Sequence, residues 1–214
     1  MSTYDVAIVG AGIVGAACAA ALAAEGMSVV IIDRDAPATG TTAAGMGHIV
    51  AMDDSDAQLA LTSYSRRLWS ELAPQLPPSC EYQRCGTIWV AADEEEMNEA
   101  RRKHALLTKH GIACELLNTS SVHDAEPNLR DKIAGGLLVK DDAVVYQLTA
   151  TKYLIDKAKT AGAECRLGSA ASSIESKKVV LENRDCISAG IVINAAGAHA
   201  QKLTPQLDII PKKG

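Results

Sequence analysis

The sequence predicts an α/β fold in which a βαβ unit opens the chain and a second, mixed sheet follows it. Three observations carry that reading. Residues 4–9 form a short apolar run rich in β-branched side chains and ending at Gly10, as a strand buried on both faces would. Residues 12–24 are dominated by Ala, the best helix former, with Gly26 placed to close the helix, and residues 28–32 return as a Val/Ile strand. Strand, helix and strand follow at the spacing of one βαβ unit. From about residue 80 to 145 the patterning changes, as a separate sheet would require.

The remaining elements follow in order. Residues 56–72 carry Leu61, Tyr64, Leu68 and Leu72 at helical spacing, which predicts a half-buried helix with that stripe inward. Residues 94–109 read as a charged helix closed by Gly111. Strands are expected at 87–91, 115–117 and 136–139, with Pro127 marking a turn. A helix over 149–161 leads to strands at 165–167, 170–175 and 179–182, and a last buried strand over 191–194 runs into Ala195, Ala196 and Gly197.

Composition narrows the function. The 214 residues are 48% hydrophobic, enough for a sizeable core, and the absence of Phe leaves that core to Ala, Val, Ile and Leu. A net charge of -5, with both signs interspersed, provides no basic stripe for a nucleic acid. Residues 6–24 are uncharged, but only Asp5 precedes them and they are mostly small, which fits neither a membrane span nor a secretory signal. The six cysteines form neither a CxxC pair nor a Cys/His metal pattern, and free thiols in a reducing cytoplasm are expected.

Gly10, Gly12 and Gly15 spell G-x-G-x-x-G where the first strand turns into the first helix, so that Ile13, Val14 and Gly15 form the first helical turn. The first Gly permits the turn, the second lets the backbone approach a pyrophosphate, and the third lets helix and strand pack closely. The helix N-terminus adds unpaired N–H groups and positive potential. Asp33 ends the second strand, where a carboxylate can bond the ribose of an adenosine. This Rossmann-like fingerprint does not by itself choose between nicotinamide and flavin dinucleotides, and Arg34 beside Asp33 leaves open a partner for a 2′-phosphate. The next segment, residues 39–46 (TGTTAAGM), offers backbone N–H groups and hydroxyls at low steric cost. The plain alternative is a surface loop.

The opening YDVAIVGAGIVGAACAAALAAEGMSVVIID, the loop TTAAGMGHIV and the late strand IVINAAGAHAQKL together resemble the FAD-dependent oxidoreductases related to D-amino acid oxidase, glycine oxidase and sarcosine oxidase. The resemblance runs in order along essentially the whole chain. It implies a Rossmann-like FAD-binding domain, residues 1–79 and 146–214, interrupted by part of a mixed-sheet substrate-binding domain, residues 80–145. It also implies FAD held non-covalently by Gly10, Gly12, Ile13, Val14, Gly15, Asp33, Arg34, Thr41, Thr42, Ala43, Ala44, Gly45, Met46, Ala171, Ala196 and Gly197. Many members have Glu where this chain has Asp33, and a small residue and Trp where it has Ala198 and His199. In relatives with covalent FAD the attaching His precedes the Ala-Ala-Gly segment, where this chain has Thr, so His48 is read as structural.

The implied activity is oxidation of the C–N bond of a small amine or amino acid (a D-amino acid, glycine, sarcosine or an imino acid) to an imine, by hydride transfer to the flavin. Oxygen, another electron acceptor or a partner subunit would complete the cycle. Residues 207–214, LDIIPKKG, resemble the segment at which relatives enter their second half. That half would hold the substrate-gripping Arg or Tyr, so no catalytic residue is assigned, and the chain is expected to be part of a longer protein, with a truncated protein or one paired with another subunit as the alternatives. Two alternatives stay open: an NAD(P)-dependent dehydrogenase, and a non-catalytic nucleotide-binding subunit.

Overall fold

The computed structural model describes residues 3–52 and 55–205, so the expectation for residues 207–214 lies outside the described residues. The chain divides into two compact units, one formed by residues 1–46 and 146–214 and the other by residues 47–145.

The first unit is built on β1 (Thr3–Val9), α1 (Ile13–Ala24) and β2 (Val29–Ile32), followed by one helical turn, α2 (Thr41–Ala44). After the second unit it resumes with α6 (Gln147–Thr160), β8 (Glu164–Arg166), β9 (Ala171–Glu175), β10 (Lys178–Leu181), β11 (Cys186–Asn194) and α7 (Ala200–Leu203). One sheet holds all six strands in the order β8-β2-β1-β11-β10-β9. The first four run parallel, while β10 and β9 are antiparallel. Residues 6–9 and 29–32 are buried throughout, as expected of parallel strands covered on both faces. On one face Ala7, Val9, Val30 and Ile32 pack with Val179, Ile187 and Leu203. Helix α1 buries Gly15, Ala16, Ala19, Ala20 and Ala23. These side chains add almost no bulk, so the helix lies close to the strands, and a Cβ on Gly15 would fall 1.9 Å from the Gly10 carbonyl oxygen.

The second unit contains β3 (His48–Ile49), α3 (Asp56–Leu72), β4 (Thr87–Ala91), α4 (Glu94–Lys109), β5 (Cys114–Asn118), α5 (Thr119–Ala125), β6 (Gly135–Val139) and β7 (Ala143–Val144). Strands β4, β6 and β5 form an antiparallel sheet with β6 in the centre, and β3 pairs with β7. Asp93 caps α4 by accepting the Glu96 N–H at 3.0 Å, and the Glu96 carboxylate returns to the Ala92 N–H at 2.6 Å. Such a cap contributes about 1 kcal/mol.

Three expectations are corrected. The unit boundary falls at 46/47 rather than 79/80, because Leu59 of α3 packs with Ala91, Met97, Leu107, Leu137 and Val139 in the second unit's core. The α3 stripe read as inward faces out: Leu61, Tyr64 and Leu68 are exposed. The inward stripe is Leu59, Thr62, Arg66 and Trp69, because Arg66 meets the buried Asp142 at 3.2 Å. Finally, the segment read wholly as loop contains α2.

Candidate functional site

In the first unit the chain leaves β1 toward β2 and later returns to the other side of β1 as β11. Open α/β sheets bind ligands beyond the C-terminal ends of their strands at such a reversal of strand order. Two hydrogen bonds fix the three strand ends there: Gly10 N–H to the Ile32 carbonyl and Ala195 N–H to the Val9 carbonyl, both at 2.8 Å. Gly10 sits at φ +112°, and a Cβ there would lie 2.3 Å from the Ala195 carbonyl oxygen. Only glycine makes that turn while letting β11 end beside it.

The start of α1 faces α2. Ile13 N–H donates to Thr42 Oγ1 at 3.0 Å, and the Val14 and Gly15 amides belong to the first turn, where no intrahelical carbonyl is in reach. Val14 is 63% exposed. A Cβ on Gly12 would come within 2.9 Å of Thr42 Oγ1, and one on Gly197 within 3.1 Å of Thr41 Oγ1. The glycine turn, the Thr41–Thr42 pair and the Ala196–Gly197 end of β11 therefore meet at one place. Ala43, Ala44, Gly45 and Met46 continue outward from it and are exposed, Met46 at 78%.

Asp33 stands at the end of β2 with its carboxylate already oriented. Oδ2 accepts the Ala11 N–H at 2.6 Å and Oδ1 accepts the Asp35 N–H at 2.9 Å. Each oxygen keeps a lone pair for a further donor. Arg34 is exposed, pairs with Asp35 at 2.8 Å and reaches His199 Nε2 at 3.3 Å. Ala171 opens β9 at the far edge of the sheet, but the segment before it returns to Asp33, whose carbonyl accepts the Ser169 N–H at 2.8 Å. His48 lies in the second unit, exposed on β3.

Sequence reasoning missed Ala11, Ala38 and Gln147. Ala38, buried at φ +65°, donates its N–H to the Ala11 carbonyl at 3.1 Å and ties the second loop to the glycine turn. Gln147 Nε2 donates to the Gly45 carbonyl at 2.6 Å. The first two act through backbone and the third across a long separation, so no local pattern marks them.

A bare glycine turn at a helix N-terminus, with two hydroxyls above it and a carboxylate at the next strand end, fits a dinucleotide. A diphosphate needs N–H and O–H donors with no side chain in the way, and a ribose needs an acceptor. Fold and site together define a Rossmann-like dinucleotide-binding domain. The chain belongs to the DAO family of FAD-dependent oxidoreductases, whose family model matches residues 5–214. That membership sets the nicotinamide alternative aside.

The chain is 25% identical to a glycerol 3-phosphate dehydrogenase of Caloramator mitchellensis, over 99% of this chain and 46% of that protein. It is 28% identical to the bifunctional protein ThiO/ThiG of Trichormus variabilis, over 99% of this chain and 33% of that protein. Among solved structures, glycine oxidase from Geobacillus kaustophilus matches with a TM-score of 0.88 and 26% identity, covering 96% of this chain and 58% of that one. The chain thus spans about half or less of the curated relatives named here. Among the described residues no helix is long and apolar enough to cross a membrane.

Proposed function

We propose that the first unit binds FAD non-covalently and that the chain forms the cofactor-binding part of an enzyme oxidising the C–N bond of a small amine or amino acid. The observation that carries this reading is the meeting of the glycine turn, the Thr41–Thr42 pair and the Ala196–Gly197 strand end at the C-terminal ends of β1, β2 and β11. Likeness to a solved glycine oxidase supports the substrate class. The second unit, whose sheet presents β4 and β5 as edges, is proposed as part of the substrate-binding domain.

Bound FAD would supply the hydride acceptor. The protein's part is to bind and orient. Amides at the start of α1 and the hydroxyls of Thr41 and Thr42 would neutralise the diphosphate. Asp33, held by two backbone N–H groups, would accept from ribose hydroxyls without having to reorganise. Arg34 would lie beside that ribose, the Ala43–Met46 segment and Ala196–Gly197 toward the flavin, and the Ala171 backbone near the adenine.

A second reading has its own support. The glycerol 3-phosphate dehydrogenase relative points to oxidation at a carbon bearing oxygen. The two readings separate on pH. An amine donates hydride readily only as the free base, so kcat/KM for an amine rises as its ammonium deprotonates, whereas a glycerol phosphate carries no such group. The test begins with the visible spectrum of the chain purified with FAD. Flavin bands released on denaturation are expected, and anaerobic bleaching by sarcosine, glycine or D-alanine is expected once the substrate-gripping residues are present as well. Bleaching by glycerol 3-phosphate alone would favour the second reading. Failure to retain flavin even with the substrate-gripping residues present would remove both.

A further inference from the structure

Helix α2 is a single turn of four residues with no buried side chain. A helix that short has no stability of its own in water, so whatever holds it in place sets its conformation. Its start is held by Thr42 Oγ1, which accepts the Ile13 N–H at 3.0 Å, and by the close approach of Gly197 to Thr41. Its end is held by a residue 102 positions away: Gln147 Nε2 donates to the Gly45 carbonyl at 2.6 Å.

The base of that contact is firm. Gln147 is the first residue of α6, and its own carbonyl accepts from Thr151 Oγ1 at 2.7 Å, with Thr151 fully buried. The hydroxyl therefore fixes the backbone from which the Gln147 side chain extends. At the other end, the Gly45 N–H is already committed to the Thr42 carbonyl at 3.2 Å. A carboxamide at position 147 can donate to the Gly45 carbonyl, and a carboxylate cannot.

We propose that Gln147 is a positioning residue for the cofactor. By holding the Gly45 carbonyl it keeps residues 41–46 in the conformation that turns Thr42 to the start of α1. The inference rests on the reading that this segment contacts FAD.

The test compares the purified wild-type chain with Gln147→Glu, which keeps the shape and removes the donor, and with Gln147→Lys, which restores a donor. Three quantities are measured: FAD affinity from quenching of flavin fluorescence, amide hydrogen exchange in residues 41–46, and the thermal midpoint without FAD. Gln147→Glu is expected to weaken FAD about tenfold and to speed exchange in 41–46, while Gln147→Lys stays within about threefold of wild type. The FAD-free midpoints are expected to agree.

Wild-type affinity and exchange in Gln147→Glu would overturn the proposal. So would equal weakening in both variants with a lowered midpoint, which would mark Gln147 as a general support of α6. A wild-type chain that takes up no FAD, while Gln147→Glu still speeds exchange, would leave the hold on the turn intact. It would end both the FAD reading and the cofactor role assigned to Gln147.

Discussion

The two units solve the packing problem in opposite ways. In the first, the decisive contacts are made by backbone: Gly10 against Ala195, Gly15 against Gly10, and a helix whose buried face is Gly and Ala. In the second, side chains do the packing, with Leu59, Met97, Leu107, Leu137 and Val139 in one cluster and an Arg66–Asp142 ion pair beneath α3. A site that brings backbone amides to a ligand cannot interpose bulk, whereas a conventional core is made of it. The first unit should therefore tolerate enlargement poorly, and the second should tolerate truncation and loss of charge pairing poorly.

The sharpest way to break that contrast is Gly10→Ala. The added Cβ meets backbone at 2.3 Å and the residue is held at φ +112°, so a loss of about 4 kcal/mol is expected. Urea unfolding would measure it, and a loss below about 1 kcal/mol would show that β11 can move aside.

Next comes Arg66→Met. Burial is the largest influence on Asp142 and lifts its carboxyl above the ordinary value of 3.8, with the Arg66 charge pulling it back down. The Arg66 Nε, although 3.2 Å from the carboxylate, finds no well-aligned hydrogen-bond partner. The folded protein thus binds the Asp142 proton more tightly than the unfolded chain does. The group's contribution to stability is complete below 3.8 and is lost as pH rises through the raised value. Removing Arg66 raises the carboxyl further and leaves it unpaired. The variant should lose about 3 kcal/mol at neutral pH, and the loss should shrink as the pH is lowered through the carboxyl range. Denaturant midpoints measured from acid to neutral pH would check the slope, and a cost independent of pH would point to lost packing alone.

The smallest effect tests the corrected face of α3. Leu61→Lys is expected to change stability by less than about 0.5 kcal/mol because the side chain is 68% exposed, whereas Leu59→Ala should cost about 3 kcal/mol. Similar losses at both positions in thermal melts would restore the inward reading of the Leu61 stripe.

Legibility in the sequence follows the same contrast. The β1-α1-β2 unit was readable because its signals are local: an apolar run, a glycine motif, an alanine helix, and an acid at the next strand end. Strand β4 and helices α3 and α4 also fall at their expected bounds, helped by the caps at Ser55 and Asp93. The inward face of α3 was misread because its stripe includes Thr62 and Arg66, whose burial depends on a partner 76 positions away. Helix α5 was missed because TSSVHDA looks like loop; its start is set by Asn118, which accepts the Ser121 N–H at 2.8 Å, and by the buried Val122. The first half of β11, CISAG, has no apolar run, and only Ile187 and Ala189 point into the core. At the site, the glycines, Asp33 and the threonines could be named from the chain. Ala38 and Gln147 could not, since one acts through its N–H and the other through a partner brought near only by the fold.

The discontinuity of the first unit bears on how the chain reaches its native state during synthesis. Strand β1 takes its second neighbour from β11, more than 180 positions later, while every strand of the second unit finds its partners within residues 47–145. Contacts between distant parts of a chain are slow to form, and domains generally fold as units while the ribosome is still at work. The inserted unit is therefore complete on the nascent chain before the opening strand can be closed in. Until then one edge of β1 presents its backbone N–H and C=O groups without the strand that pairs them in the folded protein.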